Sequence, residues 1–129
     1  MSNVLIIDDS STTRLYYREI LEGVGFGVEE AINGIEGLEK TMTQSFDLIL
    51  VDLNMPKMDG YTFLDQLRRS GDLQGVPAIM ISTQARDADR TKAHAAGANV
   101  YIVKPVDAAA LVDHCLLMTG QSPSRGAAA

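Results

Sequence analysis

Polar side chains of three chemical kinds stand where apolar runs of this chain stop. Asp8 and Asp9 follow VLII (4–7), Asp52 follows DLILV (47–51), Ser82 follows PAIMI (77–81) and Lys104 follows VYIV (100–103). Carboxylates gathered at such ends repel one another unless a hard divalent cation such as Mg²⁺ sits among them. A lysine and a hydroxyl over the same spot would pair with, and donate to, an anionic oxygen. Together these groups suit a phosphoryl group held with Mg²⁺. Asp8 and Asp9 form the pair suited to the metal. Asp52 stands alone before the loop LNMPKMDG and is the candidate nucleophile, which would form an acyl phosphate. Mg²⁺ would offset the growing charge, Lys104 would pair with a phosphoryl oxygen, and Ser82 with loop amides would donate hydrogen bonds.

Such a pocket requires strands whose carboxyl ends meet. The Val-, Ile- and Leu-rich runs read as strands buried on both faces, as a parallel sheet demands. A fifth, less apolar strand fits GVEEA (27–31), with Phe26 and Val28 alternating before the turn-like Asn33-Gly34. Helical spacing predicts sheet-facing stripes at Thr13, Tyr17, Ile20 and Val24; at Ile35, Leu38 and Met42; at Phe63, Leu64 and Leu67; and at Leu111, Cys115 and Met118. A weaker, alanine-rich helix is predicted over about 87–96. Five strands alternating with five helices point to a doubly wound α/β sheet, which binds ligands beyond its strand carboxyl ends. Ser11, Asp107 and Asp59 are the expected caps of the first, last and third helices. Gly71, Gly97 and Gly120 fall near helix ends, where a left-handed residue costs little. Pro56 should stiffen the loop after Asp52, and Pro105 restricts the backbone at Lys104.

The 129 residues suit one domain, expected over 1–119 with a short tail at 120–129 (GQSPSRGAAA). With 17 acidic against 11 basic side chains and a formal charge of -6, the chain is a poor partner for a nucleic-acid backbone. The single cysteine, Cys115, excludes an intramolecular disulfide and reads as core filler. No apolar run approaches the roughly 20 residues that cross a bilayer, and the amino terminus carries no signal-like core, so the expected location is cytoplasmic, without membrane insertion. His94 and His114 lie on separate helices and read as ordinary helical side chains. Arg14, Tyr16, Tyr17 and Arg18 form a basic-aromatic cluster that is either a docking patch or an ordinary helix with one tyrosine in the core.

Taken in order, Asp8-Asp9, Asp52 within VDLNMPKMDG, Ser82 and Lys104-Pro105 resemble a response-regulator receiver domain of two-component signalling, closest to the single-domain chemotaxis type called CheY-like. The likeness extends over about 3–118 and implies a flavodoxin-like (β/α)5 fold. It implies that Asp9 and Asp52 bind Mg²⁺ directly, that the Asn54 backbone carbonyl adds a ligand, and that Asp8 acts largely through water. Asp52 would be the phospho-acceptor and the donor a phosphohistidine on a histidine kinase or histidine phosphotransfer protein. Ser82 and the aromatic Tyr101 would act as the switch, changing the surface of the fourth helix, fifth strand and fifth helix for a downstream protein such as a flagellar motor switch. Asn54 and Gln84 would flank the water path to the acyl phosphate.

Other readings fit less of the sequence. A small phosphatase with an aspartate nucleophile would need a second aspartate two residues on, where Asn54 stands. A nucleotide-binding module lacks any GxGxxG or GxxxxGK[ST] after the first strand. A pseudo-receiver scaffold would not need the whole acceptor set. A phosphotransfer relay intermediate or a phosphate sink uses the same residues as the leading reading, in which the chain is a signalling phospho-acceptor and not an enzyme with turnover.

Overall fold

The computed structural model describes residues 2–121. Along the chain run β1 (Asn3–Ile7), α1 (Ser11–Gly23), β2 (Gly27–Ala31), α2 (Gly34–Thr43), β3 (Leu48–Asp52), α3 (Gly60–Arg69), a 3₁₀ turn (Gly71–Leu73), β4 (Ala78–Ser82), α4 (Asp87–Ala96), β5 (Val100–Val103) and α5 (Ala108–Met118). All strand pairs are parallel and the sheet order is β2-β1-β3-β4-β5. This is the expected five-stranded, doubly wound arrangement. The expected tail at 120–129 falls almost wholly outside the described residues.

Strand side chains alternate between two cores. Leu5, Ile7, Ile49, Val51 and Met80 pack with Phe63, Leu64 and Leu67 of α3 and Ala93 of α4. Val4, Ile6, Leu48, Leu50, Ile79 and Ile81 pack with Tyr17 and Leu21 of α1 and Leu111 and Cys115 of α5. Burial on both faces explains why the central runs lack a polar-apolar alternation. Cys115 is the buried filler its surroundings suggested, and desolvation pushes its thiol up to about 12.

Two helical faces differ from their predicted stripes. α1 ends one residue before Val24, which is its exposed C-cap, and Leu21 takes the buried place beside Tyr17. α2 turns Gly34, Gly37 and Thr41 inward with Leu38 half-buried, leaving Ile35 exposed and Met42 75% exposed. Close approach is the reason. A Cβ on Gly37 would stand 2.5 Å from Ile7 Cδ1 and 3.1 Å from Phe63 Cε1, so the helix lies on the sheet through its glycines. A hydropathy stripe gives glycine no weight and therefore selects the wrong face.

The caps follow the same logic with one shift. Ser10 rather than Ser11 caps α1, its Oγ accepting from Thr13 N at 3.2 Å, because Ser11 is already helical. Asn33 caps α2, Asp59 caps α3 and Asp107 caps α5, each accepting from the backbone N–H three residues on. Gly97 and Gly120 take positive φ, whereas Gly71 opens the 3₁₀ turn outside that region. Arg86, the N-cap of α4, makes no side-chain cap bond. The far end of α4 is held by Arg68 of α3, whose guanidinium donates to Gly97 O at 3.1 and 2.8 Å, to Val76 O at 2.6 Å and to Leu73 O at 3.2 Å.

An alanine normally stabilises a helix interior by about 1 kcal/mol over glycine. At Gly37 the sign reverses: Gly37→Ala must overpack Ile7 and Phe63, at a cost of about 1–3 kcal/mol, and the variant unfolds at lower urea than the wild type. Gly23→Ala, with nothing within 4 Å of the added Cβ, shows no such loss in the same measurement.

Candidate functional site

Strand order reverses between β1 and β3, and their neighbouring ends carry the acids. Ile7 pairs with Val51, which places Asp8 and Asp52 side by side. One carboxylate oxygen from each of Asp8, Asp9 and Asp52 lies within 4.8 Å of the others. Asp8 is 2% exposed and Asp52 6%, while Asp9 faces solvent. Ser82, fully buried, ends the adjacent β4, and Lys104 N donates to Ser82 O at 2.7 Å across the β4–β5 ends. Lys104 Nζ stands 3.1 Å from Asp52 Oδ1. The sheet thus brings together all the acids, the hydroxyl and the lysine picked out in the sequence. Asn54, two residues past Asp52, is exposed.

Backbone contacts do much of the work of placing Asp8 and Asp52. Asp8 N donates to Ala31 O at 3.1 Å and Asp8 Oδ1 accepts from Ser10 N at 2.8 Å. Behind Asp52 the chain is folded back by Leu53 N to Ile81 O at 3.0 Å and Gly60 N to Leu53 O at 2.9 Å. A Cβ on Gly60 would stand 2.8 Å from the Asp52 carbonyl oxygen, so glycine is needed for the loop to close against Asp52. Lys57 takes φ 70 within this loop, beside the Met58 N to Pro56 O bond of 2.8 Å. Asp59 was legible as a cap; the steric demand on Gly60 depends on a contact eight residues away and was not.

Desolvation sets the electrostatics. Burial, with added repulsion from Asp52 and Asp9, raises the Asp8 carboxyl to about 6, although the Ser10 amide and Lys104 oppose it. Burial also raises Asp52, against the pull of Lys104. The Lys104 contact is close in distance but outside hydrogen-bond geometry, so Asp52 Oδ1 and Asp8 Oδ2 are buried oxygens without a donor among the described residues. Orphaned buried oxygens are costly. Oxygens at about 2.1 Å around Mg²⁺ stand roughly 3 Å apart when adjacent and roughly 4 Å when opposite, so three carboxylate oxygens within 4.8 Å of one another need only a small inward movement to share one ion. The residues therefore fit a hard divalent cation. A cavity of about 620 Å³, lined by Phe46, Leu73 and Val76 among others, opens at the amino ends of the strands and includes none of these acids.

Tyr101 is more enclosed than an edge-strand position suggests, at 6% exposed. Its hydroxyl donates to Gln84 O at 2.7 Å, Gln84 N donates to Ser82 Oγ at 3.0 Å, and the Arg90 guanidinium lies 5.4 Å from the ring centroid. The backbone of a single residue, Gln84, thus connects the serine and tyrosine hydroxyls.

The basic-aromatic cluster of α1 is engaged internally. Tyr17 is core, and Tyr16 Oη donates to Val106 O at 3.1 Å. Arg14 Nη1 donates to the Asp8 carbonyl oxygen at 2.7 Å while its Nε meets Glu30 Oε1 at 2.7 Å. Sequence alone gave no sign that Arg14 touches the acidic segment, because the contact depends on the exit angle of α1. His94 Nδ1 lies 2.8 Å from Ala98 O at the end of α4. No helix among the described residues is long and apolar enough to cross a membrane.

Comparison with known proteins agrees with this geometry. Residues 4–116 match the family described as "Response regulator receiver domain". The chain is 43% identical over 104 residues to the Helicobacter pylori "Sensor histidine kinase CheAY", covering 79% of this chain but only 13% of that much longer protein. It is 38% identical over 109 residues to "Chemotaxis protein CheY-3" of Vibrio cholerae, covering 84% of each. Among solved structures it resembles the Vibrio cholerae chemotaxis protein CheY4, with a TM-score of 0.87 at 31% identity over 92% of this chain and 98% of that one. It also resembles the receiver domain of a Syntrophus aciditrophicus signal transduction histidine kinase, with a TM-score of 0.87 at 30% identity over 93% and 91%.

The buried acids give a signed pH prediction. Because the folded Asp8 carboxyl lies above its ordinary 3.8, the folded state binds more protons than the unfolded one between 3.8 and about 6, and this group removes stability as pH rises through that window. In EDTA at pH 7.5, Asp8→Asn should be more stable to urea than wild type by on the order of 2 kcal/mol, with the gain vanishing near pH 4. Added Mg²⁺ should raise the Tm of wild type at pH 7.5 well above its effect at pH 5, and barely move the variant.

Proposed function

The chain belongs to the response regulator receiver domain family, and from that premise we propose that it accepts a phosphoryl group on Asp52 from the phosphohistidine of a histidine kinase or histidine phosphotransfer protein. The observation that carries this reading is the meeting of Asp8, Asp9 and Asp52 within 4.8 Å, with Lys104 Nζ 3.1 Å from Asp52. In the transfer, an Asp52 carboxylate oxygen forms the new O–P bond as the N–P bond of the donor breaks, and the donor imidazole leaves with the bonding pair and takes up a proton. Asp9, Asp52 and the Asn54 carbonyl would hold Mg²⁺, with Asp8 acting through water; the ion supplies charge neutralisation at the phosphoryl oxygens. Lys104, already beside Asp52, pairs with one of those oxygens, and the buried Ser82 hydroxyl donates to another.

The chemical free energy is then read out as a population shift. New hydrogen bonds to Ser82 and Lys104 favour one packing of Ser82, Gln84 and Tyr101 over another, and the α4–β5–α5 surface changes with it. A downstream protein would read that surface. The relatives named as chemotaxis proteins favour a chemotaxis output such as a flagellar motor switch, in the cytoplasm, without nucleic acid as a direct partner. A phosphotransfer relay intermediate or a phosphate sink would rest on the same acceptor chemistry. A phosphatase of the aspartate-nucleophile kind is disfavoured by Asn54, which has no acid to offer the leaving group.

Incubation with a small acyl phosphate and Mg²⁺, followed by intact-mass measurement, should add one acid-stable but base- and hydroxylamine-labile phosphoryl group. Asp52→Asn should take none, and Lys104→Ala should retain Mg²⁺ binding while labelling at least tenfold more slowly, as expected for loss of one charge-stabilising contact. Undiminished labelling of Asp52→Asn would overturn the reading.

A further inference from the structure

We infer that Arg14 is a positioning residue for the divalent-cation pocket, setting the peptide plane from which Asp9 projects; the inference rests on the phospho-acceptor reading above. The Asp9 carboxylate takes no hydrogen bond among the described residues, so its orientation is inherited from the backbone that precedes it. That backbone is the Asp8–Asp9 peptide, whose carbonyl oxygen receives Arg14 Nη1 at 2.7 Å. At the other side of Asp8, the N–H is held by Ala31 O at 3.1 Å, and the carboxylate by Ser10 N at 2.8 Å. Asp8 is thus fixed at its amide and its side chain by backbone atoms, and at its carbonyl by Arg14.

The guanidinium is itself locked. Its Nε meets Glu30 Oε1 at 2.7 Å, its side chain is only 14% exposed, and the same Glu30 is gripped by Arg18, which also bonds Glu22 at 2.9 Å. Burial opposes ionisation of Glu30, yet the hydrogen bonds from Arg18 and Arg14 outweigh it and hold the carboxyl below its usual range. Glu30 lies opposite Ile6 in the β1–β2 register, so the support is anchored one strand pair away from the pocket. The fork geometry of arginine lets one side chain bind a carbonyl and a carboxylate together, which a lysine ammonium does with less directional control.

Charge and geometry predict opposite outcomes when Arg14 is removed. By Coulomb's law alone, deleting a positive charge beside a cation site tightens cation binding. Loss of the support for the Asp8–Asp9 peptide instead weakens it, by roughly tenfold or more as for other outer partners of metal ligands. Titration of Mg²⁺ into wild type, Arg14→Met, Arg14→Lys and Asp9→Asn, followed by backbone amide NMR shifts near Asp8 and Asp52, separates these cases. Wild type should bind, Asp9→Asn should lose most of the affinity, Arg14→Met should be weakened roughly tenfold, and Arg14→Lys should fall between wild type and Arg14→Met although its charge is unchanged.

Unchanged or tighter Mg²⁺ binding in a folded Arg14→Met would overturn the positioning role and leave the phospho-acceptor reading standing. Should Arg14→Met fail to fold, wild-type affinity in Arg14→Lys would overturn it equally. Absence of Mg²⁺ binding in the wild type would overturn the acceptor reading and this inference with it.

Discussion

Three carboxylates gathered at the carboxyl end of a sheet, two of them buried, are the constraint around which the rest of the chain is arranged. Left to themselves, Asp8 and Asp52 would separate or take up protons, and burial already pushes both carboxyls upward. They stay together because they do not choose their positions. β1 and β3 are paired in register up to Ile7 and Val51, and each strand is packed on both faces by side chains that solvent does not reach. The hydrophobic free energy of the two cores is what keeps the acids close, and a cation with a phosphoryl group is what would make that closeness favourable. A single lysine is the nearest permanent compensation, and it leaves buried oxygens on Asp8 and Asp52 without donors.

Much of this was visible in the chain itself. The strands announced themselves as dense aliphatic runs, and each candidate side chain stood at the end of one, so the fold and the meeting of these groups were legible together. Even the weak elements, GVEEA and the alanine-rich helix at 87–96, fall where expected. What escaped were features fixed by close approach. The inner face of α2 is made of Gly34, Gly37 and Thr41, because Ile7 and Phe63 come too near for any larger side chain at its centre. Hydropathy counts what a residue contributes to burial; here the decisive property was what glycine leaves out. Gly60, pressed against the Asp52 carbonyl, escaped for the same reason.

The contacts of Arg14 and Tyr101 escaped for a different one. Their partners are backbone carbonyls, of Asp8 and Gln84. Backbone acceptors carry no residue identity, so no pattern of letters announces them. In the sequence Arg14 belonged to a basic-aromatic cluster and Tyr101 was marked only through the family resemblance; in the fold each places a polar group on the peptide framework that surrounds the acids.

The two ends of α4 are secured very unequally. At its first turn the N-cap residue Arg86 makes no side-chain cap bond, near the segment that joins Ser82 to Tyr101 through Gln84. Its last turn is gathered by Arg68 together with the loop leading to β4. A helix anchored more firmly at its carboxyl end gives way first at its amino end, here the end that lies nearer the acids.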